Sequence, residues 1–438
     1  MMGFSTLNFV ETQKAVSDDK TKDPQLPLLI PYHMVTSYLR HYSIPLLPYI
    51  QFSTQVVSVV PIPDQSATGK SFPPLTKWQV TTKHLPTNKT TTHSLYDALI
   101  ISNGHYTVPY LPAIRGIEAF SSKYPDNISH SRDFRTEAPF TNCKTVMIGN
   151  SASAIDIGQQ ISHVCSGPLI RVVRTNNPGN DPNCYLSLEE FIADGEDSDT
   201  SKGGSIKFLR PDGSSHIEHG VQKVLFATGY LYTLPFLNAQ APDTSTTTSS
   251  SIPLLPPTGH YLRSLYLYFL STTHPTLSIL NTPMKILPFP LAEAQVSVLT
   301  RLYLGKIPLP LPSEMQTWET QTIAKKGPGK SFMVLNEPAE DLEYCNGLVD
   351  WANQAEDKTE GKPENEPTAR PRSTSQTRLP RLPLPPKYTK KQKWLRTMFP
   401  EIRRRFMERG DRRKEVRTWE DLGIWWEGGD EEGEGRVE

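Results

Sequence analysis

Apolar and polar positions along the chain change period several times. Residues 32 to 42, YHMVTSYLRHY, repeat at helical spacing and predict a short amphipathic helix. Alternating runs follow at 51–62 (QFSTQVVSVVPI) and 77–85 (KWQVTTKHL). A third run, 90–104, ends in the continuous apolar stretch Ala98 to Ser102 and stops at Gly104. Pro- and Asn-rich turns separate these runs, so they read as a small meander leading into one buried strand. The stretch TVMIG, the helical segment Ala152 to Val164 and LIRVVRT together predict a βαβ unit. VQKVLFATGY reads as a further buried strand ending at a glycine, and Leu291 to Leu304 as a helix entered after PFP. Residues 238–258 read as a Ser/Thr/Pro loop. Residues 351–386 read as a disordered linker, 387–426 as a basic helical extension and 427–438 as an acidic tail.

Composition narrows the picture. The chain has 438 residues, enough for two domains, but 40 prolines mark part of it as extended. Formal net charge is zero, which gives no reason to expect a nucleic-acid partner. The cysteines, Cys143, Cys165, Cys184 and Cys345, show no CxxC spacing, so neither a disulfide framework nor a structural zinc site is expected. That fits a reducing, cytoplasmic compartment, where the sequons at Asn88 and Asn127 are chance matches. The N-terminus does not read as a signal peptide, and no run of 18 apolar residues predicts a membrane span.

The chemistry concentrates in NCKTVMIGNSASAIDIGQQIS, residues 142–162. A dinucleotide turn needs backbone close to a pyrophosphate and free N–H groups at a helix N-terminus. Gly149 supplies the turn, and Ser151 and Ala154 stand at the second and third small positions of G-x-G-x-x-G/A. Asn150, Ala152 and Ser153 complete the candidate NADP turn. Arg174 ends the next strand, 25 residues beyond Gly149, with no acid there. An arginine at that point suits the 2′-phosphate of NADPH. Two other readings use the same region. GNSAS nearly matches the nucleophile elbow G-x-S-x-G, with Asp243 and His274 as nameable partners. His216 and His219 in HIEH have helical ligand spacing, but no third metal ligand accompanies them. The apolar residues interleaved in the basic extension, Trp394, Leu395, Met398, Phe399, Ile402 and Phe406, argue for a helix that packs on the body with its charges in water.

Five blocks occur in order: DALIISNGHYTVPYLPAIRGIEAF, HSRDFRTEAPF, VMIGNSASAIDI, VLFATGYLYTLPFL and HPTLSILNTPMKILPFPLAEAQ. In order and spacing they resemble the flavin-containing monooxygenases, especially the fungal, thiol-specific monooxygenase-like branch, over about residues 29–320. HSRDF matches the family fingerprint around His130 and Phe134, without its usual upstream glycine. FATGY matches the strand-end motif at Thr228 and Gly229, which the resemblance adds to the NADP site. The resemblance implies an α/β fold of two Rossmann-like, disulfide-reductase-type dinucleotide-binding domains. The FAD domain is discontinuous, 1–140 and 233–350, and the NADPH domain, 141–232, is inserted in it. It also implies FAD, NADPH and O2 chemistry through a C4a-hydroperoxyflavin that oxygenates a small molecule at thiol or sulfide sulfur or at amine nitrogen, without a catalytic side chain. Val57 is then expected near the adenine and Gln295 near the isoalloxazine. Ser102, Asn103 and Gly104 are expected to approach FAD, since ligands sit beyond the carboxyl ends of parallel strands. Two features depart from the family. No GxGxxG segment for FAD occurs in the chain, and Asn281 stands where the family usually has glycine. The alternative expectation is therefore a non-catalytic NADPH-binding protein that cannot retain FAD.

Overall fold

The computed structural model describes residues 4–16, 26–63, 76–92, 95–173, 183–193, 203–237, 254–335, 338–357 and 383–428. Two compact units divide the chain. One comprises 1–104, 234–256 and 261–438; the other comprises 105–233 and 257–260.

The first unit opens with helices α1 (Phe9–Val16) and α2 (Tyr32–Ser43). The predicted amphipathic helix is α2. Its Tyr38 is fully buried and stacks on Phe9 with ring centroids 4.2 Å apart. The meander follows as an antiparallel sheet of β1 (Thr54–Pro63), β2 (Thr76–His84) and β3 (Lys89–Thr92). Between Val56 and Ser58 the register of β1 on β2 shifts, which makes Val57 a bulge residue. The apolar stretch forms β4 (Leu99–Ile101).

The second unit runs from His105, so residues 105–140, grouped with the first domain in the sequence reading, belong to this unit. The reason is pairing. These residues supply β5 (Val108–Pro109), α3 (Ile117–Lys123) and β6 (Ile128–His130), and β6 is an outer strand of the unit's parallel sheet. The expected βαβ unit is β7 (Thr145–Ile148), α4 (Ala152–Ser162) and β8 (Ile170–Val172), all parallel in register. Next come β9 (Cys184–Tyr185), β10 (Ser187–Ile192), β11 (Gly204–Leu209), β12 (Ser215–Val221), β13 (Lys223–Phe226) and β14 (Tyr230–Leu231). The main sheet has the order β6-β13-β7-β8-β9.

Side-chain alternation sends the two faces of that sheet to different cores. Met147 and Leu225 pack with Ala154, Ile157 and Ile161 of α4. Val146, Ile148, Val224 and Phe226 pack with Phe120, Phe191, Ile206 and Phe208 of α3 and the antiparallel sheet β10-β11-β12. Each fully buried side chain of this size contributes ~1.5–3 kcal/mol. The β10-β11-β12 sheet is not among the elements read from the sequence. It places His216 and His219, whose spacing matched a helical ligand pair, on a strand.

The first unit then resumes with β15 (Leu265–Tyr266), β16 (Leu270–Ser271) and β17 (Leu277–Ile279) in the order β15-β16-β17-β4, β17 lying parallel to β4. Helices α5 (Pro288–Tyr303), α6 (Pro312–Lys326) and α7 (Glu340–Asp357) follow. The α7 helix continues past residue 351, where the sequence reading begins a linker. The basic extension forms α8 (Lys390–Glu408), capped by Thr389 and Gln392. Its Leu395, Ile402 and Phe406 are buried with Val416, Leu422 and Ile424. Arg396 bonds both carboxylate oxygens of Asp341 on α7, at 3.2 and 2.9 Å. Among the described residues, no helix is long and apolar enough to cross a membrane.

Candidate cofactor site

In the second unit the site is built on the carboxyl end of β7. All four β7 residues are buried, and the chain must leave the sheet and start α4 within three residues, Gly149 to Ser151. Gly149 makes that exit at φ +126°, in the region that disfavours side chains. A Cβ at this position would lie 2.4 Å from the carbonyl oxygen of Ala227 on the neighbouring strand. Behind the turn, Ala154 is fully buried, and a Cβ at Gly158 would meet the Met147 side chain at 2.4 Å. Small residues therefore let α4 lie close on the sheet. Asn150, Ser151, Ala152 and Ser153 are exposed at its mouth. Ser151 is the N-cap in extended backbone, and its side chain makes no capping bond. The first turn of α4 thus keeps free N–H donors and the positive end of its dipole, the arrangement that receives anions.

A guanidinium reaches this turn. Arg171 Nη2 donates to Asn150 Oδ1 at 3.0 Å, and its buried Nε has no partner in the protein. Arg171 stands in β8. The sequence-expected Arg174 lies outside the described residues. Thr228 and Gly229 follow β13 on the adjacent strand. Thr228 Oγ1 donates to the Tyr110 carbonyl, and Tyr110 N–H donates to Gly229 O at 2.9 Å.

An aromatic cluster that sequence reasoning missed surrounds this second strand end. His105 stacks on Tyr232 at 4.8 Å, Tyr106 lies 5.3 Å from Tyr230, and Tyr230 meets His130 edge-on at 5.3 Å. The signal was the shared density of aromatics in GHYTVPY and GYLYT. His130 Nδ1 accepts the Arg132 N–H at 3.1 Å, and its buried Nε2 has no partner. Burial lowers the pKa of His130, and that of His105 to about 4, so both rings are neutral at pH 7.

In the first unit, Ser102, Asn103 and Gly104 are exposed beyond the end of β4. Gly104 has φ +73°, and nothing lies within 4 Å of a Cβ built there. At the same end of the parallel pair, Leu280 N–H donates to Ile101 O at 2.8 Å. Next to it Asn281, at φ +56°, holds a buried Oδ1 without a partner. Gln295 is fully buried: its Oε1 accepts Asn281 N–H at 2.9 Å, and its Nε2 donates to Tyr344 Oη at 3.4 Å. Its amide is thus engaged inside the unit. Val57 lies on the separate β1-β2-β3 sheet.

Among the described residues the rival chemistries are not assembled. His274 Nδ1 pairs with Thr76 Oγ1 at 3.1 Å, and Asp243 lies outside the described residues. His216 is held between Arg210, at 3.0 Å, and Glu218, at 3.1 Å, while His219 bonds Ser205. No group of three metal-ligating side chains occurs among the described residues.

Comparison with known proteins agrees with the fold. The family model described as flavin-binding monooxygenase-like matches residues 11–176. The flavin-containing monooxygenase iboF of Amanita muscaria is 27% identical over 363 residues, covering 75% of this chain and 66% of that protein. The Arabidopsis thaliana flavin-containing monooxygenase FMO GS-OX-like 5 is 28% identical, covering 74% of this chain and 66% of that protein. The chain thus spans just under two thirds of the length of these curated relatives. Among solved structures, S-allyl-L-cysteine S-oxygenase from Allium sativum superposes with a TM-score of 0.66 at 21% identity, covering 96% of this chain and 80% of that one. Tmm from a Pelagibacter strain superposes with a TM-score of 0.55 at 20% identity, covering 78% and 68%. In these matches of sequence and fold, the chain resembles flavin-containing monooxygenases.

Proposed function

We propose that the chain acts as an FAD- and NADPH-dependent monooxygenase that transfers oxygen to soft nucleophiles, sulfur of thiols and sulfides or nitrogen of amines. The observation that carries this reading is the β7–α4 turn. Gly149 has no room for a side chain, four exposed small or polar residues follow it, and the N-terminus of α4 is uncapped. Those residues fit a dinucleotide pyrophosphate, which the Asn150–Ser153 backbone would hold. The unpartnered Nε of Arg171 fits an additional phosphate oxygen. In the first unit the open space at Gly104 fits a planar ring brought close to backbone, and Ser102 and Asn103 would hold its polar edge. FAD, when bound, supplies the oxygen chemistry after reduction by NADPH. The chain's own part is to bind and orient. The neutral His105 and His130 neither add positive charge nor deliver a proton near pH 7.

A second reading has its own observation. The sequence contains no GxGxxG for FAD, and Asn281 stands just beyond the β17 end at φ +56°. Under that reading the chain binds NADPH but does not retain flavin. Purification separates the two. A yellow protein, or one that regains flavin absorbance with added FAD and then consumes NADPH and O2 with a thiol present, supports the monooxygenase. A colourless protein that binds NADPH and never takes up FAD supports the second reading.

A further inference from the structure

Away from both strand ends, a cleft of about 130 Å³ lies where the chain segment before α8 crosses helices α5 and α7. That volume approaches the ~150 Å³ of a cavity able to hold benzene, so it admits one small organic molecule or a few waters. Its walls are mainly apolar: Pro290 and Ala294 of α5, Val349 of α7 and Pro386 of the crossing segment. Polar side chains line it as well, Ser5, Glu293, Lys387, Tyr388 and Gln392, with Lys387 paired to Asp350. The crossing segment is fixed by a two-way amide contact. Tyr388 N–H donates to Asn346 Oδ1 at 2.7 Å, and Asn346 Nδ2 donates to Tyr388 O at 3.0 Å. The C-terminal extension therefore supplies one wall of the cleft.

The charges around it are unevenly matched. Asp341 is paired with Arg396, Glu343 with Lys393, and Asp350 with Lys387 at the rim. Glu293 differs: its partners are the neutral Ser5 backbone N–H, at 3.2 and 3.1 Å, and the Ser5 hydroxyl. Among the described residues no cation pairs with it. Burial, then the charges of Cys345, Glu293 and Asp341, push the Tyr388 phenol up; burial and Asp341 push the Cys345 thiol up to about 12. The half-buried Glu293 carboxylate thus stands at an apolar-walled cleft with no cation paired to it among the described residues.

We propose that this cleft is a binding site for a small alkylammonium ion, its charge on Glu293 and its alkyl part against Pro290, Ala294, Val349 and Pro386. The site is independent of flavin and of the reading above, and its test needs no cofactor. The full chain is titrated with n-propylamine at pH 7.5, where the amine is protonated, and with neutral 1-propanol, followed by calorimetry. Saturable binding of propylammonium at least tenfold tighter than that of propanol is expected. Glu293→Gln should lose at least tenfold, and Ala294→Leu, which fills the cleft and keeps the carboxylate, should abolish binding with an unchanged circular dichroism spectrum. Ser5→Ala should bind as well as the parent or better, since it frees carboxylate lone pairs. Equal affinity for propanol, no binding by the parent, or retained binding in Ala294→Leu would each overturn the proposal. Should Glu293→Gln fail to fold, the Ala294→Leu and propanol results decide alone.

Discussion

Gly149 and Ala227 approach so closely that a Cβ on the glycine would sit 2.4 Å from the alanine carbonyl oxygen. Two constraints meet there, a neighbouring strand backbone that cannot yield and a φ of +126°. Gly149→Ala is therefore expected to destabilise the second unit by at least ~1–3 kcal/mol, the cost of one strained backbone position. Chemical denaturation of the variant measures it. NADPH affinity should fall as well, because the strain can relax only by moving the turn. A variant as stable as the parent would mean that the strands separate freely at this point.

Cofactor choice tests the arginines. A guanidinium on a 2′-phosphate makes charge-assisted hydrogen bonds worth roughly 1.5–3 kcal/mol each. Arg174→Ala should weaken NADPH binding by at least about tenfold, the factor that 1.4 kcal/mol represents, and leave NADH nearly unchanged. Fluorescence titration with both nucleotides reads this directly. If Arg174→Ala weakens both equally while Arg171→Ala discriminates, the phosphate belongs to the guanidinium already bonded to Asn150.

The parallel core was legible because its strands are short, apolar and stopped by glycines, as at Gly104, Gly149 and Gly229. The β10-β11-β12 sheet was not. Its strand β12 alternates exposed and half-buried positions through SHIEH, and charged residues there resemble a loop. Only the PDG turn, with Asp212 accepting from Ser214 N–H at 2.8 Å, announced the hairpin. In the site, sequence reasoning found the Gly149 turn from local chemistry. It could not foresee that Gln295 spends its amide on Asn281 and Tyr344, because residues from three separate elements meet there.

Gly104 gives a contrasting prediction. Its φ of +73° penalises a β-branched residue, but no protein atom stands within 4 Å of the added Cβ. Gly104→Val should cost a modest ~1–2 kcal/mol of stability from backbone conformation alone. It should nevertheless abolish FAD binding by filling the open space, with the fold retained by circular dichroism. In a chain that does not take up FAD alone, a fusion carrying the glycine-rich segment of a relative provides the flavin-binding background. Normal FAD retention by that fusion with valine at 104 would show that this strand end faces away from the cofactor.

His105 makes the stability of the second unit depend on pH. Burial among Tyr106 and Tyr232 lowers its pKa from 6.5 to about 4, and burial lowers that of His130 as well. Both rings fold neutral, whereas the unfolded chain protonates them near pH 6.5. Between about pH 6.5 and 4 the unfolded state therefore binds more protons, and stability falls as pH falls. The contribution is complete above pH 6.5, and for His105 the decline ends near pH 4, where the folded ring also protonates. One pKa unit corresponds to about 1.4 kcal/mol, so His105 contributes at most about 3.5 kcal/mol across the window. His105→Phe keeps the stacking on Tyr232 and removes the titration. Urea unfolding at a series of pH values should show a shallower slope for the variant between pH 4 and 6.5 and parallel curves above pH 7. Identical slopes for parent and variant would mean that His105 meets water in the folded protein.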